Sequence, residues 1–246
     1  MRLLMIIFRL IAIVLFFVTA MPVPGFSLSV QKKPVPQQTP SFSLFPELQN
    51  KIDPKVFTMA LAGYHSLKQQ GKVARDGLLT IIDFNRPSVD ERMFVIDINR
   101  GRLLYSGLVA HGSGSGENYA YSFSNQSGSH QSSLGFYTTG QTYDGRNGYS
   151  LRLLGMERGI NDNAERRSIV IHGADYVSHD YIRRTGRLGR SQGCPAVSLD
   201  SYQEVIDLIK GGSCLFIYHN DVEYTSASSL LNPDIARFQA GYGGQS

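Results

Sequence analysis

Cysteine is scarce in this chain. Two residues out of 246, Cys194 and Cys214, carry a thiol. Two thiols do not make a disulfide scaffold, and a chain of this length buries enough apolar surface to fold without one. No cysteine stands near residue 20, which excludes a lipid anchor of the bacterial lipoprotein kind. Charge of one sign is also missing. Lys and Arg number 24 against 20 Asp and Glu, and Arg2 and Arg9 fall in the N-terminal leader, so the rest of the chain is nearly neutral. That balance argues against bulk nucleic-acid binding. No His pair stands at metal-ligand spacing beside acidic partners, so a zinc peptidase is disfavoured and neither metal nor other cofactor is expected. The glycines at 112–116 precede no Lys-Ser or Lys-Thr, so they form no phosphate loop. There is no internal repeat.

The leader "MRLLMIIFRLIAIVLFFVTA" has a basic start, the apolar stretch 10–18 and a small-residue end. It reads as a signal peptide (1–20) cleaved near Ala20, and hence as an exported protein of the periplasm or cell envelope. Nine uninterrupted apolar residues are too few to span a bilayer comfortably, and Arg9 splits the longer run, so an uncleaved anchor is the second choice. Residues 21–50, with "PVPGFSLSVQKKPVPQQTPS", read as a Pro-rich linker. A helix is expected within 51–72: Asp53 can cap it, Pro54 suits a first turn, Val56, Met59, Ala60 and Tyr64 share one face, and Gly71 ends it. The Ser- and Gly-rich tail at 223–246 is expected to be flexible.

Between these, residues 73–222 form one domain. "LLTIIDF" (78–84) and "RMFVIDI" (92–98) are strand-like, and "NRG" (99–101) turns the chain into "RLLYSGLVAHG" (102–112). A polar loop fills 113–132. Further short strands fall at 135–140, 148–154 and 168–173, with a tight turn at "DGRNG" (144–148), and a last one at 213–219. A helix over 200–210 carries a Ser201–Glu204 capping box and a Gly211 stop. Many short strands, Gly-rich turns and few short helices imply a mainly β fold, a largely antiparallel sandwich or barrel.

The chemistry concentrates at "IVIHGAD" (169–175) and "SQGCPAV" (191–197). A thiol attacks as thiolate and needs a base, and His172 ends a β-branched run that can hold an imidazole still. Gly193 removes a side chain beside the sulfur, and the N–H groups of Gly193 and Cys194 are candidates to face an oxyanion. Pro195 biases Cys194 to an extended backbone and offers no N–H. From these residues alone three readings stay open: Cys194 as a nucleophile, a Cys194–Cys214 disulfide, or two inert thiols. The alternation of "SCLFIYH" places Cys214 on one face with Phe216 and Tyr218, as a core residue. His111 and His179 are candidates to line a cleft; His65, His130 and His219 are not.

His172-Gly173, a loop, and then Ser191-x-Gly193-Cys194 resembles the signature of the YkuD-type L,D-transpeptidases, in the branch of murein L,D-transpeptidase catalytic domains. "SSLGFYTTG" (132–140) and "RSIVIHGADYVS" extend the resemblance over about 78–222. It implies an L,D-transpeptidase-like β fold, catalytic roles for Cys194, His172, Ser191 and Gly193, and a carbapenem-sensitive thioester enzyme. Its partners would be peptidoglycan stem peptides, with a second stem, an outer-membrane protein or water as acceptor, and the chain would be a monomer. A backbone carbonyl near the histidine, at Gly173 or Ala174, would orient the imidazole. Two positions depart from the family's pattern: Gln192 stands where a second histidine is usual, and Ala196 where an arginine is. Carboxylate recognition is therefore expected from Arg190 or Arg187 in "RRTGRLGR", with Gln192, Gly173 and His111 also near the substrate. A sortase-like enzyme ranks lower, since 195–205 contains no arginine; an inactive envelope-binding module is the non-enzyme alternative.

Overall fold

A computed structural model of the chain describes residues 42–232. The leader, the linker up to residue 41 and the tail from residue 233 lie outside the described residues. One nine-stranded sheet carries the fold, in the order β3-β2-β1-β9-β5-β6-β7-β8-β4. The strands are β1 (Leu78–Asp83), β2 (Met93–Asp97), β3 (Arg102–Gly107), β4 (Val109–Ala110), β5 (Gly135–Gly145), β6 (Gly148–Gly155), β7 (Val170–Ala174), β8 (Ala196–Ser198) and β9 (Cys214–Tyr218). Four short helices accompany them: α1 (Pro54–Gln69), α2 (His179–Thr185), α3 (Tyr202–Ile209) and α4 (Val222–Ala227). The mainly β, largely antiparallel reading holds. Only β1–β9 and β7–β8 pair in parallel.

The helix expected at 51–72 forms as α1. The Asp53 carboxylate accepts the Lys55 N–H at 2.7 Å, and Pro54 occupies the first turn. Its apolar stripe, Phe57, Ala60, Leu61, Tyr64 and Leu67, is buried on the sheet. Gly63 allows the closest approach, because a Cβ there would stand 2.0 Å from the Phe136 ring. Phe136 in turn stacks on Phe216 at 4.1 Å. Strands β1 and β9 are buried along their whole length, which is why they read as continuous apolar runs.

Three boundaries differ from expectation. Phe45 and Leu48, placed in the linker by composition, flank and end the 3-10 turn Pro46–Leu48 and are buried against the core. The Ser201–Glu204 capping box does not form; the Ser201 hydroxyl bonds the Tyr105 phenol at 3.0 Å instead. Residues 222–232 are not a loose tail. Asp221 caps α4, Tyr224 is buried, and Glu157 gathers the Tyr224 and Ser228 hydroxyls and the Phe136 N–H. Burial of that carboxylate raises its pKa above the usual range.

Candidate active site

His172 is the third residue of β7, flanked by Ser150 on β6 and Ala196 on β8. Its Nδ1 lies 3.0 Å from the Gly173 carbonyl, which can only accept, so Nδ1 carries the proton and Nε2 a lone pair. Burial pulls the imidazole below its ordinary pKa, and the Gly173 bond opposes this only partly. The ring is therefore neutral at neutral pH, with its basic nitrogen free. The orienting carbonyl expected from sequence is that of Gly173.

The parallel register sets His172 beside Ala196. Two residues upstream, in the bend before β8, Cys194 meets the Val170 N–H and lines the same cleft as His172. The half-buried Sγ–H donates to the Ser168 carbonyl at 3.7 Å. Burial raises the thiol pKa; the Val170 N–H, the Arg167 guanidinium and the residue's own N–H oppose that rise. At rest the pair is thus a neutral thiol and a neutral imidazole. Cys214 is also free, fully buried on β9 and pushed to a high pKa by burial. It stands four strand positions from β8, roughly 19 Å along the sheet at about 4.8 Å per strand, well beyond a disulfide's reach.

The turn before Cys194 is a hydrogen-bonded staple. Ser191 Oγ accepts the Gly193 N–H at 3.0 Å and donates to the Cys194 carbonyl at 2.6 Å. Ser191 thus shapes the backbone at Cys194. The Gly193 N–H is taken up there, which corrects the expectation that it faces an oxyanion. Gly193 is required for a different reason: its φ is 121°, and a Cβ would stand 2.8 Å from the Gln131 carbonyl. Ser132 closes the staple by accepting the Gly112 N–H and donating to the Gly193 carbonyl.

Cys194, His172 and Gln192 line a cleft of about 790 Å³ that also presents Arg146, Arg166, Arg167 and Arg190, and no carboxylate. Arg190 is there as expected, but its guanidinium is engaged by Glu117 at 2.6 Å and by the Gly116 carbonyl at 3.0 Å. Arg187 pairs with the same Glu117 and does not line the cleft. Gly173 faces Tyr202 and Leu199 rather than the cleft. His111 is fully buried, which corrects its placement near substrate: it accepts from Arg92 at 2.8 Å and donates to the Gly116 carbonyl at 3.3 Å. His179 lies outside this cleft and His130, set aside from sequence, is in it.

Arg167 went unassigned from the sequence. It donates to the carbonyls of Ser124 and Gln131, both at 2.6 Å, and to the hydroxyls of Ser133 and Ser129. It therefore straps the polar loop 113–132 to the floor beside Cys194 and places a cation near the sulfur. Its position five residues before His172 was the one available signal. Arg146, at the β5–β6 turn, and Arg166 are exposed, and neither has an ion-pair partner among the described residues.

A family model described as "L,D-transpeptidase catalytic domain" matches residues 48–218. No curated protein matches the sequence. Among solved structures, an L,D-transpeptidase from Mycobacterium smegmatis is 13% identical, with 58% of this chain and 59% of that one covered and a TM-score of 0.36. The helical cell shape determining protein of Campylobacter jejuni is 13% identical over 73% of this chain and 64% of that one, with a TM-score of 0.40. An L,D-transpeptidase from Stackebrandtia nassauensis is 11% identical over 72% and 76%, with a TM-score of 0.36. The matched segment is thus less than two thirds of the first two relatives' length. With its sheet, its His172–Cys194 pair and a model match over most of its length, the chain belongs to the family of L,D-transpeptidase catalytic domains.

Proposed function

We propose that the protein is an exported cysteine L,D-transpeptidase acting on peptidoglycan stem peptides through an acyl-enzyme at Cys194. The observation that carries this reading is a neutral His172, its Nδ1 held by the Gly173 carbonyl, sharing with the Cys194 thiol a cleft lined by four arginines and no carboxylate. A cationic cleft suits a donor peptide that bears carboxylates. As sulfur attacks the donor carbonyl carbon, the thiol proton passes to His172 Nε2. The tetrahedral intermediate collapses, the C–N bond breaks, and the imidazolium returns the proton to the leaving amine of D-alanine. A second amine, from another stem or an envelope protein, then attacks the thioester. His172 takes its proton and the thiolate departs. Water in place of the amine gives carboxypeptidase activity. The leader that directs export lies outside the described residues; among those described, no helix is long and apolar enough to cross a membrane.

Intact-mass measurement after incubation of the mature protein with a carbapenem tests the proposal. One adduct is expected, located at Cys194, absent in Cys194→Ala and strongly slowed in His172→Ala. An adduct that forms at full rate in His172→Ala places the base elsewhere.

A further inference from the structure

The backbone at the nucleophile commits its N–H groups to the sulfur or to Ser191. Pro195 has no N–H and the Gly193 N–H is bound to Ser191 Oγ, while the Val170 N–H and the Cys194 N–H are both directed at the sulfur. N–H groups aimed at the sulfur favour the thiolate, whereas a tetrahedral oxyanion needs donors aimed at the oxygen, and such sites typically converge two or more. Arg167 does not supply one, since both its terminal nitrogens already bind carbonyls of the 113–132 loop.

Tyr176 lies four residues past His172, where β7 turns toward α2. Its ring is fixed from below. It packs against the satellite core of Leu108, Val177 and Leu188, and a Cβ on Gly189 would stand 2.4 Å from the Tyr176 Cβ. The Gly189 N–H also bonds the Tyr176 carbonyl at 3.0 Å. The other side of the residue lines the cleft with Cys194 and His172. Unlike Tyr105, Tyr137, Tyr149 and Tyr224, it has no hydrogen bond from its hydroxyl to any described residue. A rigidly held phenol with a free O–H at the rim of a nucleophile's cleft is a donor without a protein acceptor.

We infer that Tyr176 is a catalytic residue whose phenol O–H donates to the oxyanion formed when Cys194 attacks an acyl carbonyl. The inference rests on the acyl-transfer reading of the same cleft. As the S–C bond forms, the carbonyl π pair moves onto oxygen, and Tyr176 hydrogen-bonds that oxygen without giving up its proton. When the pair returns to re-form C=O, the C–N bond breaks and the proton on His172 leaves with the amine. The phenol stays protonated throughout, since burial and then the nearby Cys194 charge raise its pKa to about 12.

The test is Tyr176→Phe in the full mature chain, which deletes one oxygen and leaves the packed ring in place. Two rates are measured on Cys194: acylation by a carbapenem, which develops an oxyanion, and alkylation by iodoacetamide, which does not. Loss of one oxyanion donor predicts acylation slowed roughly 100-fold or more. Alkylation should stay within about 2-fold and the melting temperature should hold, since that hydroxyl bonds nothing in the protein. Undiminished acylation in Tyr176→Phe, beside a reactive wild type, overturns the inference alone. An equal fall in both rates also overturns it, by showing that the phenol acts on the thiol. A wild type that is alkylated but never acylated removes the acyl-transfer reading and this inference with it.

Discussion

The two ends of the sheet are stabilised by different physics. Around β1, β9 and β5 the cohesion is apolar: α1 lies on the strands, and Phe57, Phe94, Phe136 and Phe216 are all buried. Strands β7, β8 and β4 join that core on one side through Ile171, Val197 and Val109, and otherwise pack a small cluster, six buried residues of which three are alanine. There the chain is held by directed polar contacts: the Ser191 staple, Ser132 on Gly193, Arg167 on the 113–132 loop, and Arg92 on His111. The difference separates stability from chemistry. A hydrophobic core tolerates small shifts, but a nucleophile must be placed within a fraction of an ångström, which directional hydrogen bonds secure and area burial does not.

The comparison breaks most visibly through a core truncation. Phe136→Ala at the apolar end should cost about 3–5 kcal/mol of folding stability in urea titrations. The fraction still folded should be alkylated at Cys194 as fast as wild type. A slowed thiol in that fraction would mean that the two ends are not separable.

The converse change is Arg167→Ala. Bonds from a charged donor to carbonyls are worth on the order of 1.5–3 kcal/mol each, so loss of the strap should cut acylation by roughly 10- to 150-fold. A structural role alone would leave the thiol's titration untouched. We expect instead that the pH profile of Cys194 alkylation moves to higher pH, because the guanidinium favours the thiolate. An unmoved profile would reduce Arg167 to a loop anchor.

His111 sharpens the contrast through pH. Burial, and then the Arg92 charge, pull its pKa from the ordinary 6.5 to about 3. Between those values the unfolded chain binds the extra proton, so this group's contribution is present above about 6.5 and is lost as pH falls toward 3. The slope is about 1.4 kcal/mol per pH unit. The raised carboxyls of Glu157 and Asp83 act in the opposite sense on stability as pH changes. Comparison with His111→Gln therefore isolates the effect: urea midpoints at pH 7, 5.5 and 4.5 should fall less steeply in the variant. Parallel lines would show that His111 is not the proton-excluding group.

The smallest effect is expected at the cleft rim. Replacing Arg146 and Arg166 together by Ala should raise KM for anionic donor peptides about tenfold, equivalent to ~1.4 kcal/mol, while neutral alkylation is unchanged. Arg190→Ala should raise it less, because Glu117 already occupies that guanidinium. A larger loss in Arg190→Ala would restore it as the carboxylate-binding residue.

Much of this was legible in the chain. The alternation and apolar runs at 78–84, 92–98 and 213–219 correspond to β2 and to the fully buried β1 and β9, because local periodicity follows directly from which faces are covered. Asp53 and Pro54 marked the start of α1, since a cap is a contact between near neighbours. His172 and Cys194 were visible as residue types in a motif, and the Gly173 carbonyl, one residue away, as the partner of Nδ1.

Contacts between distant segments were not legible. Arg167 meets residues 34 to 43 positions earlier, Arg190 meets Glu117, and Glu157 binds Ser228. No local pattern encodes such pairs, so Arg190 looked free and the tail looked loose. The sequence by itself determined the strands, the first helix and the motif that holds His172 and Cys194. Only the tertiary structure decided which cations are free to meet a substrate and which N–H groups remain to meet an oxyanion. Availability depends on what the rest of the chain has already bound, and that is fixed only when the chain has closed.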